Sequence, residues 1–294
     1  METVTTQLKV RKARKQSQFG EILKRLSKNV TAMIGLCIFL AVVIVCVFAP
    51  VFAPYDPTEM VAENLFAGSS WAHPCGCDAL GRDILSRLIY GGRYSLALGF
   101  SCALIGMVAG LFFGALTGYA GGAVDNVVMR VCDIWMAIPG MLLCIILSAV
   151  LGNGVIQTIL AMSIGGIPGS IRGTRAMCLR ERNMEYLEAA KAMNCSTGKI
   201  VFRHMLPNVI APSIIGTTGQ IGGSIMQASG LSFIGLGIPV TIPEWGAMCS
   251  SGRGAILTDP HVMIWPGVAI LITVLAINMF GDGLRDALDP RLKD

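Results

Sequence analysis

Charge is what this sequence has least of. Only 14% of its 294 residues are Asp, Glu, Lys or Arg, against about 25% in soluble domains. With 53% hydrophobic residues and a mean hydropathy of +0.65, an ordinary soluble fold is excluded. Catalytic signatures are missing too. There is no HExxH, no Gly-x-Ser-x-Gly and no dinucleotide fingerprint. The one Gly-Lys pair, Gly198-Lys199, fails as a phosphate loop. Met193 stands where the leading Gly belongs, and Ile200 where Ser or Thr would hold magnesium. The three His are scattered at 73, 204 and 261, and the ten Cys include no CxxC. His73-Pro74-Cys75-Gly76-Cys77-Asp78 matches neither zinc nor haem spacing. The chain is therefore expected to be no enzyme and to hold no metal or cofactor of its own. Its net charge of +5 carries no nucleic-acid footprint.

What is present is a series of long charge-free intervals: 29–55, 94–124, 134–171, 204–243 and 260–281. A spanning helix needs about 20 apolar residues. The interval 134–171 poses a problem of division: its 38 residues are too many for one helix and too few for two with comfortable loops. The turn signal Gly152-Asn153-Gly154 splits them, so the first half must begin upstream, near Asn126. The expectation is an all-α integral membrane protein with six spans, at about 32–53, 94–117, 126–150, 155–172, 208–229 and 262–281. The first is too long for a signal-peptide core, and Pro54 follows the only small-residue cleavage site, so it reads as a retained anchor.

Lys and Arg set the orientation. Eight precede the first span, one lies where the third opens, seven occupy 172–203 and three the tail. Only Arg82, Arg87, Arg93 and Arg253 fall on the other side. Both termini and the central loop are expected in the cytoplasm. Residues 1–29 form a basic segment in which Phe19, Ile22, Leu23 and Leu26 make an apolar stripe, read as an interfacial helix on an anionic leaflet. Residues 30–93 hold the first span and an outer loop. There Leu80, Ile84, Leu85 and Leu88 predict a helix lying flat on the surface, with Asp83 and Arg87 paired at i+4. Residues 94–294 form the core, with a polar central loop over 173–207. Cys37, Cys46, Cys102 and Cys144 lie in spans as small hydrophobes, whereas Cys75, Cys77 and Cys249 lie outside and leave a disulfide open.

Within the spans, Gly106, Gly110, Gly114 and Gly118 recur at a spacing of four, a smooth ridge for close helix packing. Asp125, Arg130 and Asp133 open the third span, and Arg130 with Asp133 at i+3 reads either as an interfacial ion pair or, at Asp133's depth, as a functional charge. Thr217, Gln220, Ser224 and Gln227 line one face of the fifth span. Uncharged amides and hydroxyls there suit either a path for a polar solute or hydrogen bonds between helices.

The central loop has helical pattern rather than loop composition. Tyr186, Ala189, Ala190 and Met193 share one face, Glu181, Glu185 and Glu188 lie along another, and Glu188 can pair with Lys191. Asn194 suits the left-handed residue that ends a helix. Ser196 can cap a second short helix carrying Ile200, Val201, Met205 and Leu206, and Pro207 suits the first turn of the next. A pair of short amphipathic helices at a membrane surface is suited to docking in a partner's groove.

Glu188-Ala189-Ala190, the turn at Asn194 and Leu206-Pro207 resemble the EAA loop of ABC importer permeases, which usually has Gly at the turn. The run from His73 through Asp78, Gly81-Arg82-Asp83, Ser86-Arg87, Gly91, Arg93 and Ser95-Leu96 narrows the resemblance. So do Pro243-Glu244-Trp245-Gly246 and Gly281-Asp282-Gly283-Leu284 through Pro290. They look like the C-type subunit of the dipeptide, oligopeptide and nickel permeases, in which Leu and Thr commonly replace Cys75 and Cys77. The resemblance implies half of a translocation pathway for di- or oligopeptides in a bacterial or archaeal cytoplasmic membrane, with nickel or another small solute as the alternative. It implies ATPase coupling through Tyr186, Glu188, Ala189, Ala190, Asn194, Leu206 and Pro207. It also implies as partners a homologous second permease subunit, two ABC ATPase subunits that use ATP and Mg, and an extracytoplasmic binding protein. A self-sufficient secondary transporter is the rival class, disfavoured because the span centres hold almost no charge.

Overall fold

A computed structural model describes residues 25–288. Phe19, Ile22 and Leu23 of the expected interfacial stripe lie outside them. Leu26 packs against Ala32 and Ala287 instead of facing outward. The described residues are mostly helical, with one isolated β-bridge between Cys77 and Asp83 and no named strand.

Helix α1 (Val30–Val47) opens on Asn29, whose side chain accepts the Ala32 N–H. Pro50 then limits the chain to one further turn, Ala49–Phe52. Helix α2 runs from Ile84 to Ala120. Helices α3 (Gly122–Met136) and α4 (Gly140–Leu151) follow, then α5 (Val155–Arg182) and the short α6 (Glu185–Ala192). Helices α7 (Leu206–Phe233), α8 (Trp245–Gly252) and α9 (His261–Leu288) complete the order. By length and composition α1, α2 and α9 are apolar enough to cross a membrane. The α3–α4 pair passes the same test as one bent unit. Helices α5 and α7 are each 28 residues long but less apolar, diluted by Gly, Ser, Thr and, in α5, four Arg. The six predicted spans thus all fall on helical stretches, three of them apolar enough alone.

Three boundaries differ from the expectation. The predicted span 126–150 is broken at Ala137–Pro139 by an 82° bend. Pro139 has no N–H to continue the ladder, and a residue before proline is pushed out of the α region. The flat outer helix is no separate element, because Ile84, Leu85 and Leu88 form the first turns of α2, and Leu80 precedes it. The second short helix of the central loop is also not separate. Residues 197–205 run without a gap into α7, through a wide turn over Ile200–Met205. Leu206 N–H bonds to Val201 O, five residues back, and this widening makes room for the Pro207 ring.

The core is built from facing apolar stripes. Phe39, Ile84, Leu96, Ile221, Ile225, Trp245 and Ile277 bury together, joining α1, α2, α7, α8 and α9. The glycine ridge of α2 lies directly on α5. A Cβ at Gly106 would sit 3.0 Å from Ser170 Oγ, at Gly110 2.8 Å from Ser170 O, at Gly114 2.7 Å from Thr174 Cβ and at Gly118 2.6 Å from Cys178 Cβ. Ser170, Thr174 and Cys178 repeat at four as well, so small residues face small residues across the whole seam.

A buried polar latch closes the end bearing residues 55–83 and 234–260. Asp78 takes Nε and a terminal nitrogen of Arg82, each at 2.8 Å. Arg87, 1% exposed, donates to Pro57 O and Val240 O, tying both loops to α2. The expected Asp83–Arg87 pair does not form, because Asp83 caps α2 at Ser86 and pairs with His73 Nδ1 at 2.9 Å. Glu244, fully buried, accepts Ser95 Oγ and the N–H groups of Gly246 and Ala247. Cys75, Cys77 and Cys249 are buried as free thiols.

Candidate functional site

At the opposite end, α6 projects between α5 and α7. Its Met184 start and Ala192 end are set by backbone geometry. Asn194 has φ +54°, its N–H bonds to Lys191 O at 2.9 Å, and Cys195 N–H returns to Ala190 O at 3.1 Å. This is the two-bond helix stop that a left-handed residue permits. The inner side of α6 carries Leu187 and Ala190, buried against Ala115, Cys178, Ile200, Val201, Met205 and Val209. The predicted apolar face is therefore split: Ala190 is core, while Tyr186, Ala189 and Met193 are exposed. Leu206 is half-buried beside the same cluster and Pro207 is exposed.

The outward surface of this end combines Glu185, Glu188, Ala189, Ala192 and Asn194 with two large apolar side chains, Met193 at 81% exposure and Phe202 at 63%. The spacing put Met193 on one face with Tyr186, Ala189 and Ala190, and gave Phe202 no role. Tyr186 is fixed from two sides. Its hydroxyl donates to Glu181 Oε2 and accepts from Asn208 Nδ2 at 3.0 Å. Burial and the Glu181 contact push its pKa up to about 12, so it stays a neutral donor. Lys191 lies over the Tyr119 ring, 5.8 Å from its centroid.

Next to this end a cavity of about 290 Å³ opens between α2, α5 and α7. Met107, Ser170, Thr174, Met177, Ser213, Thr217 and Gln220 line it with Gly169, Gly173 and Gly216, and no lining side chain is charged. The polar face predicted on α7 divides here. Thr217 and Gln220 reach the cavity, Ser224 is buried, and Gln227 Nε2 donates to Cys144 Sγ on α4 at 3.4 Å. That face is thus divided between a cavity wall and a bond between helices, on different turns. A second cavity of about 350 Å³ between α3 and α5, lined by Val127, Val131, Trp135, Ile164 and Ile167 among others, is wholly apolar and offers a polar solute nothing.

Ion pairs bind α3 to α5. Asp125 pairs with Arg175, and Asp133 with Arg172. The expected Arg130–Asp133 pair within α3 does not form, since Asp133 points across to α5.

Residues 110–294 match the family described as the inner membrane component of binding-protein-dependent transport systems. Residues 17–68 match the N-terminal transmembrane domain of oligopeptide transport permease C. The chain is 40% identical to the di/tripeptide transport system permease protein DppC of Pseudomonas aeruginosa, over 95% of its own length and 94% of the relative's. It is 42% identical to the glutathione transport system permease protein GsiD of Pectobacterium atrosepticum, over 91% and 89%. Among solved structures, an inward-facing MetNI methionine ABC transporter chain superposes with a TM-score of 0.57 at 22% identity, covering 70% of this chain and 98% of that one. That likeness is one of fold.

Proposed function

Because the chain belongs to the inner membrane components of binding-protein-dependent transport systems, and is a non-catalytic subunit of a multi-pass membrane transporter, we propose that it forms half of an ATP-driven import route for di- or oligopeptides. The observation that carries the reading is the pairing of an uncharged, hydroxyl- and amide-lined cavity with an exposed short helix at the adjacent end. The cavity suits a solute whose backbone offers N–H and C=O groups and needs no fixed countercharge. The helix suits a cleft in a cytoplasmic partner.

In this reading α6 and the turn at Asn194 seat in an ATPase subunit. Tyr186, Glu188, Ala189 and Asn194 make the contact, Met193 and Phe202 add apolar anchors, and Ala190, Leu206 and Pro207 hold the element in place. One six-span chain supplies one half of the route; a homologous permease subunit supplies the other. Two ATPase subunits provide ATP and Mg chemistry, and an external binding protein delivers the solute. Alternating access then arises as the two permease subunits rock about a site between them. Both termini and α6 lie on the cytoplasmic side, in keeping with the distribution of Lys and Arg.

Reconstitution into vesicles tests this. The complete transporter should accumulate a labelled di- or tripeptide only with ATP inside the ATPase-bearing compartment and with binding protein on the other side. Uptake by this chain alone, without ATPase subunits, would establish a secondary transporter instead.

A further inference from the structure

One turn at the end bearing residues 55–83 displays a large side chain instead of burying it. Trp71 is fully exposed, yet the turn beneath it is fixed. Ser70 N–H donates to His73 O at 2.9 Å, and His73 N–H donates back to Ser70 Oγ at 3.0 Å. His73 is itself held from three sides: by Asp83 Oδ1 at 2.9 Å, by Asn64 Nδ2 at 3.2 Å and by the Tyr55 ring, with centroids 4.7 Å apart. The other loop of this end offers a second such side chain, Leu257, at 96% exposure. The two loops are joined at their base. His261 Nε2 lies 3.3 Å from Cys77 O, and a Cβ at Gly76 would sit 2.7 Å from the His261 ring. An indole presented on a rigid support has little freedom left to lose on binding, which is what an interface anchor requires.

Height and charge decide what meets it. Asp83 caps α2, and Arg93 lies ten residues further along, about 15 Å by helical rise. Arg93 and Tyr94 are both exposed, the combination of snorkelling cation and aromatic ring that marks a membrane interface. Headgroups add only about 5–7 Å on each side of the hydrocarbon. The turn at 70–73, which His73 holds level with Asp83, therefore stands outside the bilayer even with α2 tilted by about 40°. Residues 51–81 contain no Lys or Arg, while Asp56, Glu59 and Glu63 are all exposed. Arg82 and Arg87 are buried, and the exposed Arg253 of the other loop lies over the Phe233 ring. An acidic surface with apolar tips, standing in water, fits a soluble protein with a basic rim. The import reading above calls for such a protein on this side, the external binding protein.

We infer that Trp71 and Leu257 anchor the soluble solute-binding protein, Trp71 entering an apolar pocket on it while Asp56, Glu59 and Glu63 face Lys or Arg around that pocket. The inference rests on the import reading and the orientation proposed above. It adds to them the surface of this chain on which the solute arrives.

The complete transporter in vesicles is given rising concentrations of binding protein loaded with a labelled dipeptide, and uptake is followed. Trp71→Ala should raise the concentration for half-maximal uptake about thirtyfold, as for loss of an interface hot spot. Complex recovery, ATP hydrolysis without binding protein and the rate at saturation should not change. Trp71→Phe should restore most of the affinity, and Leu257→Ser should show a smaller loss than Trp71→Ala. Asp56→Asn, Glu59→Gln and Glu63→Gln together should flatten the dependence of half-saturation on salt. Wild-type half-saturation in Trp71→Ala would overturn the inference and leave the indole to the lipid surface. Loss of assembled complex in Trp71→Ala would overturn it too, and assign this surface to the second permease subunit. A wild type whose uptake ignores the binding protein would instead sink the import reading, and this inference with it.

Discussion

Asn208 on α7 donates to the hydroxyl of Tyr186 on α6, at 3.0 Å. Tyr186 passes its own proton toward Glu181 at the end of α5. One phenol thus joins the three helices that meet at the exposed end, so a push on α6 is felt by the two helices flanking the cavity. Tyr186→Phe removes both bonds and should cost about 1 kcal/mol. We expect the complex to assemble and hydrolyse ATP, with less solute moved per ATP. The ratio of uptake to hydrolysis in vesicles measures this, and an unchanged ratio would leave Tyr186 a packing residue.

The glycine seam predicts stability rather than assembly. At Gly118 an added methyl would lie 2.6 Å from Cys178 Cβ. Overpacking of this kind costs about 1–3 kcal/mol, so Gly118→Ala should lower the unfolding temperature of the purified subunit. Cys178→Gly in the same chain should restore most of the loss, because the obstructing atom is a side chain. At Gly110 the obstruction is Ser170 O, a backbone atom, and Gly110→Ala should find no such rescue through Ser170→Gly. Thermal unfolding in detergent compares the four variants.

Topology is testable with an impermeant thiol reagent. Cys75, Cys77 and Cys249 are buried, and burial pushes each thiol up to about 11, so little thiolate forms near neutral pH. They should resist labelling until the protein unfolds. Trp71 is fully exposed on the outer loop, and Trp71→Cys should label in intact cells. Cys195, partly exposed beside α6, should label only after permeabilisation. Labelling of Cys195 in intact cells would reverse the orientation.

The latch yields a prediction of its own. Arg87 is buried and holds carbonyls from two loops, so Arg87→Leu should leave Asp78 with a smaller share of its countercharge and both carbonyls unpaired. Removing one member of a buried pair costs about 3–5 kcal/mol. Reduced recovery of folded subunit is expected, whereas Arg93→Leu, at an exposed position, should have little effect.

Much of this arrangement was legible in the sequence because it is local. Asn194 declares its left-handed turn through its tolerance of positive φ, and the fourfold glycine repeat declares a close seam. What was not legible is what faces what. Periodicity found the helix at Glu185–Ala192 but not what it buries, since of Tyr186, Ala189, Ala190 and Met193 only Ala190 is core, and Leu187 fills the place beside Ala115 and Cys178. The flat outer helix was misread because nothing between Ile84 and Tyr94 interrupts α2. Arg93 was taken as a span boundary, yet its exposed position lets it stay on the helix. Pairing at i+3 and i+4 misassigned Asp83 and Asp133, whose partners His73 and Arg172 lie on other segments. Pro139 was available as a break signal, but a span of full length masked it.

The central claim is that the outward surface of α6 transmits ATP hydrolysis to the helices around the cavity, and Glu188 tests it most directly. It is exposed in the first turn of α6, where a carboxylate favours the positive helix start and can accept a bond from the partner. Reversing its charge at an interface costs about 2–5 kcal/mol, and even 2 kcal/mol is roughly a thirtyfold loss of affinity. Uptake and co-purification of the ATPase subunits are measured for Glu188→Lys, with Glu185→Lys as the control one turn earlier. The account predicts normal insertion, loss of ATP-dependent uptake and loss or mis-seating of the ATPase for Glu188→Lys, with a smaller effect for Glu185→Lys. Wild-type uptake with the ATPase retained in Glu188→Lys would contradict it.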